Sequence, residues 1–163
     1  MTEVTPLSEV LAVLEAVRAV GCRFWLEGGW GVDALVGHQT RPHRDLDVDV
    51  DGAFEHQVLE ALGALGYVVE TDWRPNRVEL HRPGRGRVDV HPLALDDRGG
   101  ARQAALGGGW HEFPPDFGAV GSLAGVAVPC VSVAAQRLFR TGYPLREADR
   151  LDLATLDRLH LDG

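Results

Sequence analysis

From Arg44 to Asp51 the chain alternates acidic and aliphatic side chains: Arg44-Asp45-Leu46-Asp47-Val48-Asp49-Val50-Asp51. A period of two is the signature of a strand with one buried face. Leu46, Val48 and Val50 are expected to enter a core. Asp45, Asp47, Asp49 and Asp51 then share the opposite face, each about 7 Å from the next. Like charges at that spacing repel, and Asp is a poor strand former. Such a row asks for a compensating cation; the plainer reading is a solvated edge strand with acidic gatekeepers.

The rest of the pattern supplies the frame. Thr5-Pro6 reads as an N-cap and first helical residue, followed by apolar positions at helical spacing (Leu7, Val10, Leu11, Leu14, Val17) up to a stop at Gly21. Arg23 to Glu27 reads as a short strand, Gly28-Gly29 as a break, and Trp30 to Val36 as a short helix ended by Gly37. A helix spans Phe54 to Leu65, and a strand begins at Tyr67. Residues 77–81 and 87–93 form a hairpin around Pro83-Gly84-Arg85-Gly86. On the return strand Val88 and Val90 share one face, and Asp89 and His91 the other. The Gly- and Asp-rich run from Asp96 to Gly109 reads as an ordered loop or lid. A short strand at 126–128, a helix capped by Ser132 and a last helix from Glu147 to Leu161 complete the chain.

Composition narrows the chemistry. At 163 residues the chain is most simply one domain, able to bury roughly 70% of its unfolded surface without staples. The net charge of −8 argues against a nucleic-acid partner and suits a cationic small molecule. There is no long apolar run for a membrane, and Met1 to Pro6 is polar and acidic rather than the start of a signal peptide. Cys22 and Cys130 fit no metal spacing and read as buried thiols, so a cytoplasmic protein is expected. All 16 basic side chains are Arg. Without lysine there is no Schiff base, no P-loop lysine and no lysyl-nucleotide intermediate.

A strand, a double glycine and a helix N-terminus together make a phosphate-binding device, because the backbone comes close and free N–H groups meet the anion. Gly29-Trp30-Gly31-Val32-Asp33-Ala34 also matches the dinucleotide fingerprint G-x-G-x-x-A. The helix after it is too short for that role, and a tight turn is the better reading. Asp45 and Asp47 at i and i+2 can share one or two hard cations, with Asp89 from a later strand closing the site. Arg41, His43 and Arg44 lie just before these carboxylates, either as ion-pair partners or as a triphosphate clamp.

The ordered set Gly28-Gly29, Asp45-Leu46-Asp47 and Asp89 resembles the signature of the nucleotidyltransferase superfamily with the polymerase-β-like fold. The strings Trp25 to Leu35, His43 to Asp49, Val88-Asp89-Val90-His91-Pro92, Pro129 to Ser132 and Gly142-Tyr143 resemble the small antibiotic nucleotidyltransferases. Among these the short lincosamide enzymes are nearest, and the aminoglycoside adenylyltransferases next. The resemblance implies an α+β fold, a mixed β-sheet flanked by helices with a small C-terminal helical part. Residues 1–125 would be the catalytic domain and 126–163 a C-terminal strand and helices packed on it.

The implied reaction moves a nucleoside monophosphate, AMP from ATP, onto a hydroxyl of a small antibiotic with loss of pyrophosphate. Asp45, Asp47 and Asp89 match the metal ligands for Mg²⁺, two ions being usual. Gly28, Gly29 and Trp30, with Arg41 and Arg44, would hold the nucleotide. Asp89 or His91 would act as general base. Asp33, Asp49 and Glu79 are candidates for a cationic amine of the acceptor, and a register using Asp47 with Asp49 as the metal pair stays open. A homodimer is expected, because a chain this short encloses two substrates with difficulty. Competing readings are the same chemistry on an aminoglycoside or another hydroxylated acceptor, and a non-catalytic binding module.

Overall fold

The computed structural model describes residues 3–162, with side chains as far as Leu159; Met1, Thr2 and Gly163, including the first residues of the polar N-terminal run, lie outside it. Helices are α1 (Leu7–Val20), α2 (Gly28–Val36), α3 (Glu55–Ala64), α4 (Val133–Leu138) and α5 (Glu147–Asp162). Strands are β1 (Phe24–Glu27), β2 (Asp45–Asp51), β3 (Val68–Trp73), β4 (Arg77–Arg82), β5 (Gly86–Leu95), β6 (Ala101–Ala104), β7 (Trp110–Phe113), β8 (Gly118–Leu123) and β9 (Val126–Val131). They form one mixed sheet in the order β3-β4-β5-β2-β1-β9-β8, with β6 added to β5 and β7 to β6. The pairs β2–β5 and β1–β9 are parallel and the others antiparallel.

The alternation in β2 behaves as its pattern predicts. Leu46, Val48 and Val50 are fully buried. With Val78, Leu80, Val88 and Val90 of the neighbouring strands they pack on Val10, Val13, Leu14 and Val17 of α1, Trp30 and Ala34 of α2, and Val58 and Leu62 of α3. Each such side chain withdrawn from water is worth about 1.5–3 kcal/mol. This hydrophobic layer leaves the acidic side chains of β2 and β5 on the opposite face of the sheet. A smaller cluster around Phe113, Phe117, Val131 and Ala135 lies on the flank, with Trp25 against it.

Three local expectations change. Thr5 does not cap α1; Pro6 stands at the N-cap. The Thr5 hydroxyl instead donates to the Arg44 carbonyl at 2.8 Å and accepts from the Arg87 N–H at 2.9 Å, clamping the starts of β2 and β5. Gly28 and Gly29 are the first turn of α2 rather than a turn before it. The run 96–109 contains β6, whose Ala-Arg-Gln-Ala sequence has little strand propensity. Pairing on both sides, with β5 and β7, overrides that propensity. Its tip is Gly107-Gly108-Gly109, all at positive φ, a conformation that needs glycine. The expected boundary at 125/126 falls in the β8–β9 hairpin, and β9 continues the sheet beside β1.

Candidate active site

Strand register assembles the site. Glu79 faces Asp89 across β4–β5, Asp89 faces Asp47 across β2–β5, and Asp47 faces Glu27 across β1–β2. Four carboxylates thus form a row crossing four strands. One step along, Asp49 pairs in register with His91. Only the parallel β2–β5 pairing brings residues 42 positions apart, Asp47 and Asp89, into line.

The glycines of α2 close one side of the row. Gly28 has φ +61°, and a Cβ there would overlap the Asp47 carboxylate. A Cβ at Gly29 would overlap the His43 ring. A Cβ at Gly31 would come 2.7 Å from the Leu26 carbonyl, so this glycine lets α2 press on β1. Since β1 and β2 are antiparallel and α2 has only nine residues, the G-x-G-x-x-A match has no βαβ unit around it. A cavity of about 250 Å³ opens between Gly28, Gly29, Arg41, Arg44, Asp45 and Asp47 on one side and Arg140, Arg146, Asp149 and Asp152 on the other.

Arginines are distributed unevenly around the row. Arg44 donates to Asp45 at 3.3 Å and to Glu79 at 3.2 Å. Arg77 donates to Asp89 and lies 3.7 Å from Glu79. Arg41 makes two 3.0 Å bonds to Asp152, which also accepts from Arg140. At the other end His91 carries the positive role. Its Nδ1 lies 3.2 Å from both Glu27 and Asp49, and its Nε2 is 3.7 Å from Asp47 and 3.6 Å from Asp89. Burial alone would push the imidazole pKa down. The acidic side chains of Asp49, Asp89 and Glu27 around the ring outweigh it and hold the pKa well above the usual histidine range. Burial, then the charge of Asp45, pushes Asp47 well above the carboxylate range. Burial and the Glu27 charge do the same to Asp49. Glu27 itself is lowered, because its bond to His91 outweighs its burial.

The donor set suits a hard divalent cation. Oxygens of Asp45, Glu79 and Asp89 lie within 4.8 Å of one another, as do donor atoms of Asp47, Asp89 and His91. Asp89 Oδ1 is buried without a hydrogen bond. An anionic oxygen left in that state is costly unless a cation meets it.

Several expected roles move. Trp30 is fully buried, donates to the Thr5 carbonyl at 3.2 Å and lies against His43, so it supports the turn from beneath instead of meeting a nucleotide. Asp33, also fully buried, accepts from Thr40 N–H and Oγ and from His43 at 2.5 Å. It organises the 37–43 loop and does not reach an acceptor amine. Asp49 is fully buried beneath His91. Glu79 is already answered by arginines. The sequence motifs gave no site role to Glu27, Arg77, Arg140, Arg146, Asp149 or Asp152, which the structure brings to the acid row or the cavity beside it. Glu27 stands next to the predicted Gly28 and had a visible signal; Arg77 and Arg140 had none, because tertiary packing alone brings them here.

Comparison with known proteins agrees with this geometry. The family model described as Aminoglycoside-2''-adenylyltransferase matches residues 9–156. The chain is 38% identical, over 91% of its length and 92% of the relative's, to a lincosamide resistance protein of Staphylococcus haemolyticus. It is 35% identical to a 2''-aminoglycoside nucleotidyltransferase of Escherichia coli over 42% of this chain and 38% of that one. Among solved structures, the lincomycin-bound lincosamide antibiotic adenylyltransferase LnuA superposes with a TM-score of 0.86 at 37% identity, covering 95% of this chain and 98% of that chain. The fold is also shared by an aminoglycoside enzyme crystallised with adenylyl-2''-tobramycin, at TM-score 0.69, 20% identity, and coverage of 95% and 91%.

Proposed function

The chain belongs to the aminoglycoside-2''-adenylyltransferase family and is a nucleotidyltransferase, and from that premise we propose that it adenylylates a lincosamide-class antibiotic, inactivating the drug. The facing pair Asp47–Asp89 beside the Gly28-Gly29 turn carries the chemistry. The choice of a lincosamide over an aminoglycoside rests on 38% identity to a lincosamide resistance protein over 91% of the chain, against 35% identity to an aminoglycoside nucleotidyltransferase over 42% of it.

ATP is the nucleotide, with its triphosphate against the first turn of α2 in the 250 Å³ cavity. Arg44, Arg140 and Arg146 supply positive charge there in a chain without lysine. Asp45, Asp47 and Asp89 would hold Mg²⁺, which when bound neutralises phosphate charge and polarises the α-phosphorus. The acceptor lies in the adjoining cavity of about 660 Å³, lined by Glu27, Trp110, Phe113, Phe139 and Tyr143. Its aromatic walls suit a drug-sized molecule with an apolar side. The acceptor hydroxyl attacks the α-phosphorus in line, its proton passes to the Asp89–His91 pair, and the bond to the β-phosphate oxygen breaks to release pyrophosphate. Catalysis is then mainly positioning and charge. No helix among the described residues is long and apolar enough to cross a membrane, and we place the enzyme in the cytoplasm as a homodimer.

The test is a panel. The protein with Mg²⁺ and each nucleoside triphosphate is offered lincosamides and aminoglycosides, and products are read by mass spectrometry. The expected result is a lincosamide heavier by one AMP. Modification of aminoglycosides alone, or of no drug, overturns the proposed acceptor.

A further inference from the structure

The β1 side of the acid row contains a group of donors that the transfer reaction does not need. Asp49 is fully buried, and neither of its carboxylate oxygens has a hydrogen-bond partner. Its Oδ1 lies 3.2 Å from His91 Nδ1, and Glu27 Oε2 lies 3.2 Å from the same nitrogen. Donor atoms of the three residues all fall within 4.8 Å of one another. The acids on the β4 side are met by arginine: Asp45 and Glu79 by Arg44, Asp89 by Arg77. Among the described residues, Glu27 and Asp49 have only His91 within ion-pair distance. One imidazole cannot neutralise the carboxylates of both Glu27 and Asp49 while Asp47 also faces it.

We propose that Glu27, Asp49 and His91 Nδ1 form an inner metal site, separate from the carboxylates that take magnesium, and that it selects a transition-metal dication of the zinc type. Magnesium prefers an all-oxygen octahedron and gives up water reluctantly. A nitrogen donor beside two carboxylates suits zinc and its neighbours. Zinc bonds of about 2.0–2.2 Å in a tetrahedron put adjacent donors roughly 3.3–3.5 Å apart, close to the two 3.2 Å separations around Nδ1. Glu27 and His91 also line a cavity of about 150 Å³ shared with Asp47.

The site rests on donor geometry and does not depend on which acceptor the enzyme uses. One consequence does rest on the transferase reading. With Nδ1 on a metal, Nε2 keeps its proton and faces Asp47 and Asp89, so Asp89 and not His91 receives the proton of the attacking hydroxyl.

Metal content of the full chain tests the proposal. Protein stripped by chelator, given equimolar Zn²⁺ in excess Mg²⁺ and desalted, is expected to retain one zinc per chain. Asp49→Asn and Glu27→Gln lose that zinc, and Asp45→Asn keeps it. Cobalt(II) in place of zinc gives the intense visible bands of a low-coordinate ion in the unmodified protein. Absence of retained zinc, or only the weak bands of octahedral cobalt, overturns the site. Loss of zinc from Asp45→Asn with retention by Asp49→Asn overturns it too, because zinc has then taken the magnesium carboxylates. Circular dichroism checks folding; if Asp49→Asn does not fold, the cobalt spectrum of the unmodified chain decides. A failed drug panel leaves all these outcomes unchanged.

Discussion

The two ends of the acid row meet the same electrostatic problem with different means. Toward β4, Asp45, Glu79 and Asp89 are each bonded to Arg44 or Arg77. Toward β1, Glu27, Asp47 and Asp49 share one imidazole. Arginine stays charged at any relevant pH and reaches in from β4 or from the loop before β2. At the β1 end Asp49 is fully buried while Glu27 and Asp47 are only partly so, and among the described residues no arginine comes within ion-pair distance of these three. The β4 end is therefore partly neutralised by arginine before any ligand arrives, whereas the β1 end has only His91 to offset its charge.

Substitutions can break this contrast. The largest effect is expected for Asp47→Asn, which removes a ligand at nearly constant volume. A catalytic cation worth about 4 kcal/mol in the transition state corresponds to a ~10³-fold fall in kcat, with the circular dichroism spectrum unchanged. Turnover near the unmodified rate would show that Asp47 binds no metal. Gly28→Ala comes next. A Cβ there displaces the Asp47 carboxylate and strains a left-handed residue. A displacement of about 1 Å at a reacting centre costs on the order of 10²-fold in rate, read as kcat with the thermal midpoint followed in parallel.

Arg77→Met should destabilise the protein by about 2 kcal/mol in chemical denaturation. That is below the cost of breaking a fully buried pair, because Arg77 is 24% exposed. Asp49→Asn should act in the opposite direction by about 1 kcal/mol in metal-free protein, since it removes one of two unneutralised carboxylates at His91. In zinc-loaded protein the sign reverses. If Arg77→Met and Asp49→Asn shift metal-free stability in the same direction, the two ends of the row do not differ as described.

Legibility in the sequence followed the range of the interactions. Asp-x-Asp on β2, Asp89 with His91 on β5 and the paired glycines could be read because each is a local pattern with its own periodicity. The β4–β5 hairpin followed from Pro83-Gly84-Arg85-Gly86 between alternating strands. Strand β6 could not be read, because its propensity is poor and its pairing is long-range. Asp33, Asp49 and Glu79 seemed free to meet a cationic drug only while their neighbours were unknown. His43 and Thr40 claim Asp33, burial claims Asp49, and arginines claim Glu79.

The chain by itself determined that a strand would carry aliphatic residues on one face and carboxylates on the other, because side-chain alternation is a property of any extended backbone. It also determined that phosphate charge would have to be met without lysine. The tertiary structure decided which carboxylates work together. Parallel register between β2 and β5 put Asp47 opposite Asp89, antiparallel register with β1 added Glu27, and the packing set Arg44 and Arg77 beside one group of acids and His91 beside the other. Register belongs to the packing of distant segments, where a shift of one residue turns every side chain to the other face.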